Sequence, residues 1–169
     1  MESKAKILGH PIHQMLVVFP LGLLATAVIF DLITLRSGAP QWSEAAFYMT
    51  GAGIIGGLAA AIFGLIDWLA IPSDTRAKAV GAWHGLGNVI VVLLFACGFM
   101  LRWNRPDAPD ASALTFSIIG VLLALVTGWL GGELMDRMGV GIDEGANLNA
   151  PNSLTDHTPH SHGTSPGHA

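Results

Sequence analysis

Residues 51–67 read GAGIIGGLAAAIFGLID, and this stretch decides the fold. It lies within a longer apolar run, which is typical of a helix that crosses a bilayer. Small residues recur four apart in it, as Gly53 with Gly57 and as Gly56, Ala60 and Gly64. This spacing lets helix backbones approach closely in lipid. The stretch therefore predicts a tightly packed membrane helix with an acidic residue, Asp67, at its end.

Three further apolar runs accompany this one. The spans are predicted at about residues 13–35, 44–72, 75–103 and 112–132, each at least ~20 residues and long enough to cross the hydrocarbon core. Ser73 or Asp74 is expected to cap the third helix. The connections are short, so consecutive helices should be antiparallel neighbours. We expect an all-α, integral membrane four-helix up-down bundle over residues 1–143, followed by a disordered His-rich polar tail over residues 144–169.

Composition excludes several classes of protein. Of the 169 residues, 51% are hydrophobic and only 12% are charged, so the bilayer is the expected environment. The net charge of −4 supplies no basic patch, which argues against nucleic acid as a partner. Cys97 is the single cysteine, which excludes an intrachain disulfide and a cysteine-based metal cage. Ala25-Thr26-Ala27 resembles a signal-peptidase site, but the apolar run continues past it, and we interpret the first span as uncleaved.

The basic residues predict an orientation. Lys4, Lys6, Arg76, Lys78 and Arg137 fall on one side of the membrane, whereas Arg36, Arg102 and Arg105 fall on the other. Basic residues are more frequent in cytoplasmic loops. The pattern predicts a bacterial cytoplasmic (inner) membrane protein with both termini in the cytoplasm.

Ionisable residues recur at one membrane face. His13 opens the first span, Asp67 closes the second, His84 lies early in the third, and Glu133 closes the fourth. Ionisable groups inside a membrane are costly, so four at one depth suggest a site. His10 lies one helical turn before His13, and Asn88 one turn deeper than His84 on the same face. We therefore expect a shallow pocket that opens toward the N-terminal side.

Four interpretations of this set remain open. In the first, the acids pair with the histidines or with nearby arginines and only hold the bundle in register. The second makes His13 and His84 the axial ligands of a haem b, with acids orienting the rings. The third binds a transition metal directly through His10, His13, Asp67, His84 and Glu133. In the fourth, the set relays protons or ions.

These interpretations lead to different functions. The preferred hypothesis is a non-catalytic redox or metal-associated protein that serves electron transfer with a redox or membrane-complex partner. The alternatives are a proton or ion relay, a transporter subunit, and a structural subunit of a membrane complex. No Gly-rich phosphate loop, nucleophile elbow or metalloprotease motif is present.

Three other features of the sequence bear on the role of these ionisable residues. Asp31 lies five helical turns after His13, near the opposite surface, where it is expected to pair with a loop cation such as Arg36 or to end a conduit. Pro20 should kink the helix between them. The tail carries His157, His160, His162 and His168, a tract that can load metal weakly. The two halves also look related, with Gly64–Leu69 loosely matching Gly128–Glu133.

Several motifs point to one family. The opening Leu8-Gly9-His10-Pro11-Ile12-His13, then Gly64-Leu65-Ile66-Asp67-Trp68, the His84 segment and Gly131-Gly132-Glu133-Leu134 resemble the bacterial membrane family catalogued as domain of unknown function 2231. The resemblance covers about residues 7–143. It implies a four-helix membrane domain, which in this family is sometimes associated with Rieske-type iron–sulfur domains. This chain has no Rieske Cys-His pairs, and its His-rich tail lies outside the family pattern.

Overall fold

Four long apolar helices make up most of the part of the chain that the structure describes. The structure, a computed structural model, describes residues 1–108 and 110–154. Two short antiparallel strands come first, β1 (Lys6–Ile7) and β2 (His10–Pro11), followed by α1 (Ile12–Leu16), α2 (Val18–Ser37), α3 (Pro40–Ala70), α4 (Arg76–Leu101), α5 (Ala111–Gly132) and a π-helical turn (Glu133–Arg137). The spans Ile12–Ser37, Pro40–Ala70, Arg76–Leu101 and Ala111–Arg137 are each long and apolar enough to cross a membrane. The predicted all-α four-helix membrane architecture is confirmed. The tail histidines at 157, 160, 162 and 168 lie outside the described residues.

The helix ends differ in detail from the prediction. α3 begins at Pro40 rather than near Glu44, because proline suits the first turn of a helix, where its missing N–H has no partner to lose. Thr75, not Ser73 or Asp74, caps α4, and its hydroxyl oxygen accepts a hydrogen bond from Lys78 N at 3.2 Å. α5 is capped by Asp110, whose carboxylate accepts from Ala113 N at 2.7 Å.

The first span is interrupted one turn before Pro20. α1 ends at Leu16, and α2 starts at Val18. In a continuous helix the Leu16 carbonyl would accept from the nitrogen of residue 20, but proline has no N–H. Helical bonds on either side survive, from Val17 N to His13 O at 3.1 Å and from Leu21 N to Val17 O at 3.2 Å. α1 and α2 therefore form one membrane span with a break at Val17. His13 lies on the short segment, α1, that precedes this break.

Apolar side chains cover the outside of the bundle as well as its inside. The buried core consists of Leu24 and Val28 from α2 and Val91 and Phe95 from α4. Large apolar residues such as Ile55 and Leu58 of α3 are more than half exposed. A soluble monomer rarely exposes apolar surface on this scale, whereas lipid tails accept it. This surface therefore faces the bilayer.

The chain contains an internal repeat of one helical hairpin. The first hairpin is the first span with α3, and the second is α4 with α5 and the π-helical turn. Residues of α4 follow their counterparts in the first span by 71 positions (13 to 84, 24 to 95), and residues of α5 follow those of α3 by 67 (53 to 120, 64 to 131). The same contacts occur in both hairpins: His13 with Ala60 and Gly64, as His84 with Thr127 and Gly131; Leu24 with Gly53, as Phe95 with Gly120; and the hydroxyls of Thr50 and Ser117, each bonded to the carbonyl four residues earlier.

Equivalent residues of the two hairpins meet each other where the hairpins pack together. Leu24 and Phe95 share one core cluster, and the rings of His13 and His84 lie side by side. Contact between equivalent positions is the signature of a two-fold axis. The loose sequence match pairs Gly64–Leu69 with Gly128–Glu133. That register was wrong, because Gly64 corresponds to Gly131 and Asp67 corresponds to the buried Leu134.

The two ends of the described chain meet at the histidine end. The amine of Met1 donates to Gly139 O at 3.0 Å, and Gly141 N donates back to Met1 O at 2.9 Å. Gly139 and Gly141 have φ of +65° and +82°, the left-handed conformation that glycine adopts without strain. Lys6 donates to Asp143 and also to Glu2, and these bonds raise the pKa of the Lys6 amine. The N-terminal segment is therefore held against the turn that follows the π-helical turn.

Candidate functional site

His13 is anchored to the neighbouring helix. Its ring Nδ1 lies 2.8 Å from the carbonyl oxygen of Ala60 on α3. One turn further along α3, Gly64 lies against the ring, where a β-carbon would come within 2.8 Å of His13 Cε1. Only glycine leaves room for the imidazole at this distance. The small-residue stripe predicted on this helix thus has a specific use, which is to seat a ring.

His84 repeats this arrangement in the second hairpin. Its Nδ1 lies 2.8 Å from the carbonyl oxygen of Thr127 on α5. One turn later, a β-carbon at Gly131 would come within 3.1 Å of His84 Cε1. Because a carbonyl oxygen only accepts, Nδ1 of each ring must carry the proton. In the neutral imidazole, Nε2 then holds a lone pair that can bind a donor or a metal.

The two rings lie next to each other between the hairpins. Their centroids are 6.4 Å apart, and their planes are nearly perpendicular, at 85°. The convergence of His13 and His84 predicted from depth is therefore found in the structure. Each ring comes from a different hairpin, so the pair exists only when the two hairpins are docked.

Asn88 joins His84, as its position one turn deeper suggested. Its Nδ2 donates to His84 O at 2.8 Å and lies 3.3 Å from His84 Nε2. Thr127 Oγ1 donates to Asn88 Oδ1 at 3.1 Å. Sequence reasoning missed Thr127, although its hydroxyl on a membrane helix was a signal that could have found it.

The two acidic residues of the predicted set have partners other than the histidines. Asp67 accepts hydrogen bonds from Ser3 Oγ at 2.9 and 2.8 Å and from Lys4 N at 2.7 Å. Glu133 pairs with Arg76 at 3.2 Å. Asp67 therefore holds the N-terminal segment, and Glu133 links the π-helical turn to the start of α4.

His10 also lies apart from the pair. It belongs to β2, and its Nε2 is 3.2 Å from Ser153 Oγ. Within residues 1–108 and 110–154, no three His, Cys, Asp or Glu side chains gather closely enough to hold a metal ion. Of the predicted set of His10, His13, Asp67, His84 and Glu133, the structure brings the rings of His13 and His84 together.

A buried ion pair lies at the opposite end of the bundle. Arg102 NH1 donates to Asp31 Oδ2 at 2.7 Å, and both side chains are only 2% exposed. Arg102 NH2 donates to Ser43 O at 2.8 Å and to Ser43 Oγ at 2.7 Å. Asp31 therefore pairs with a cation just outside a helix, as expected, but the cation is Arg102 and not Arg36, which is exposed at the end of α2. Asp31 follows His13 by the same 18 positions by which Arg102 follows His84, and this shared spacing could have revealed the pair.

The fold and the paired sites define a class of protein. Four membrane-length helices form a multi-pass integral membrane bundle. They are arranged as two equivalent hairpins, with a pair of polar side chains near each end of the bundle. The chain belongs to the family of predicted membrane proteins described as DUF2231, whose family model matches residues 9–144. The resemblance stated from the sequence motifs is thereby confirmed. No curated protein and no solved structure matches the chain.

Proposed function

We propose that His13 and His84 would together hold a haem b, and that the protein serves electron transfer in a bacterial inner membrane. The observation that carries this proposal is the matched pair of imidazoles. Each ring has its Nδ1 bound to a helix carbonyl, and the two rings lie side by side. Histidines that ligate metals usually donate the other ring N–H to such a partner, which fixes the tautomer and raises the basicity of the ligand.

The spacing of the rings agrees with one shared metal ion. Metal–imidazole bonds of about 2.0–2.1 Å, with a ring radius of roughly 1.1 Å, put the centroids of two opposed rings about 6.3 Å apart. The observed separation is 6.4 Å. The centroid separation is therefore compatible with one ion held between the two rings.

The number of ligands favours haem over a bare ion. A bare zinc ion normally takes four protein or water ligands. Asp67, Glu133 and His10 are engaged with Ser3, Arg76 and Ser153. A porphyrin brings its own equatorial nitrogens, so two histidines complete the coordination. A haem would supply one-electron chemistry when bound. The chain's own contribution is to orient the two rings through their Nδ1 hydrogen bonds.

A relay of protons along the bundle has less support. The histidine pair and the Asp31–Arg102 pair lie at opposite ends, and the apolar side chains of Leu24, Val28, Val91 and Phe95 lie between them. A proton would have to cross this layer without a polar partner. A purely structural role within a membrane complex is the outcome expected if the protein binds nothing.

The test uses the full chain purified in detergent from cells supplied with iron. We expect a Soret band and a pyridine haemochrome of b type at about one haem per chain. His13→Ala or His84→Ala should abolish both. The matched controls are His10→Ala, Asp67→Asn and Glu133→Gln, which should keep the band. A colourless wild-type protein refutes haem binding, and elemental analysis of the same sample tests for a bare metal ion.

We further propose that the histidine end faces the cytoplasm. Five basic residues lie at the histidine end, against Arg36, Arg102 and Arg105 at the far end. Basic residues are more frequent in the cytoplasmic loops of membrane proteins. A C-terminal green fluorescent protein fusion should fluoresce, and a dark fusion of a folded, membrane-inserted chain would contradict this orientation.

A further inference from the structure

The internal repeat is broken at one pair of positions next to the histidines. Asn88 and Thr127 of the second hairpin correspond to Val17 and Ala60 of the first. The first hairpin therefore places two apolar side chains where the second places an amide and a hydroxyl. Polar side chains inside a membrane span are costly and tend to mark functional positions.

The extra polar groups close a ring of hydrogen bonds around His84. His84 Nδ1 donates to Thr127 O, and Asn88 Nδ2 faces His84 Nε2 at 3.3 Å. The single hydroxyl proton of Thr127 is shared between Asn88 Oδ1 and Ala124 O, each 3.1 Å from Oγ1. The orientation of the amide is fixed, because Nδ2 also donates to His84 O at 2.8 Å and a carbonyl cannot donate. His84 Nε2 is thus an acceptor that already has a donor.

His13 has no such competitor. Its Nδ1 is bound to Ala60 O, and Val17, which stands where Asn88 stands in the other hairpin, has no polar group to offer. Within the described residues, the only hydrogen bond to the His13 ring is the one at Nδ1. The two rings are therefore equivalent in position, but only His84 would lose a hydrogen bond if its Nε2 bound a metal.

We propose that Asn88 is a positioning residue that makes His84 the exchangeable ligand of the pair. The proposal rests on the proposed function. If Nε2 of His84 held the iron, it could not also accept from Asn88 Nδ2, so its replacement by a small external ligand would restore that hydrogen bond. Nε2 of His13 pays no such penalty. A small anion should therefore displace His84 in preference to His13.

The experiment measures cyanide binding to the ferric, haem-loaded full chain by the shift of its Soret band. This is a ligand substitution, in which the iron–carbon bond forms, the iron–Nε2 bond breaks and the oxidation state is unchanged. Asn88→Leu keeps the size of the side chain and removes the donor. We expect its affinity for cyanide to fall roughly 2- to 10-fold, the equivalent of one net hydrogen bond.

The internal repeat supplies a matched variant in which cyanide affinity should increase. The double variant Val17→Asn with Ala60→Thr installs the same groups beside His13, and its cyanide affinity should rise by a similar factor. Thr127→Val keeps the backbone carbonyl and removes only the hydroxyl that holds the amide. It should lower the affinity less than Asn88→Leu does, and it provides the test if Asn88→Leu fails to fold.

The outcomes separate the two proposals. If the wild-type chain has no Soret band, the proposed function fails and this inference fails with it. If the band is present but cyanide affinity is unchanged in Asn88→Leu and Thr127→Val, or moves opposite to expectation in the double variant, only the role of Asn88 is refuted. A fall in the first two variants and a rise in the third supports it.

Discussion

Removal of Arg102 should destabilise the bundle more than removal of any exposed basic residue. The guanidinium is 2% exposed and donates to Asp31 Oδ2 at 2.7 Å. In Arg102→Met the carboxylate of Asp31 remains buried without a cation. Breaking a buried pair from one side costs about 3–5 kcal/mol of the free energy of unfolding.

The double variant Asp31→Leu with Arg102→Met should recover most of that loss. Replacing both members with apolar side chains of similar size leaves no unpaired charge and is often neutral or stabilising. Ser43 Oγ still donates to Pro106 O, at 2.7 Å in the wild type, so the loop keeps one of its bonds. We expect the double variant to lie within about 1–2 kcal/mol of the wild type, the residual cost coming from the lost bonds to Ser43 and Pro106.

The assay is reversible unfolding in mixed micelles by titration with sodium dodecyl sulfate, followed by the circular dichroism of the helices. Arg36→Met is the matched control, because Arg36 is exposed at the end of α2, and it should change stability by no more than about 0.5 kcal/mol. The reasoning is refuted if Arg102→Met loses less than about 1 kcal/mol, or if the double variant is as unstable as the sum of its single variants.

Two further predictions concern other parts of the bundle. Gly64→Ala should cost about 1–3 kcal/mol by crowding His13, whose ring would lie 2.8 Å from the new β-carbon. Gly128→Ala meets nothing within 4 Å and should stabilise the helix by about 0.5–1 kcal/mol, so equal effects in the same titration would contradict the seating of the ring. The hydrogen bond from Ala113 N, followed by that from Ser112, lowers the pKa of the Asp110 carboxyl below 3.8, so its stabilisation of α5 is present at neutral pH and is lost as the pH falls from 3.8 through that lowered pKa. Hydrogen-exchange protection of the Ala113 amide should drop across this acid range in the wild type, and an equally steep drop in Asp110→Asn would rule out the carboxylate as its cause.

Much of the architecture could be predicted because the hydropathy of each segment can be read from its consecutive residues. Four apolar runs with short connections allow few arrangements in lipid, and helical rise places His13 and His84 at one depth. The glycine stripe on α3 was visible as a packing surface, since small residues four apart are a local pattern. Shared depth predicted that the two rings converge, and the structure adds that they face each other across the two hairpins.

The partners of the acids could not be predicted in this way. Asp67 lies at the expected depth, but it binds Ser3 and the backbone of Lys4, whose position depends on the β1–β2 turn near the N-terminus. Glu133 begins a π-helical turn, which shifts the face that follows it relative to an α-helix. In both cases a contact between segments distant in sequence, or a local change in helical pitch, decides where the side chain points.

The ion pair at the far end has a consequence for biosynthesis. Asp31 emerges from the ribosome 71 residues before Arg102 (31 to 102). At about 5–20 residues per second, the first span waits roughly 4–14 s before its cation is made. Throughout that interval a carboxylate in a membrane span has no internal partner, which opposes its stable insertion. We therefore expect the first hairpin to insert stably only after α4 and Arg102 have been synthesised.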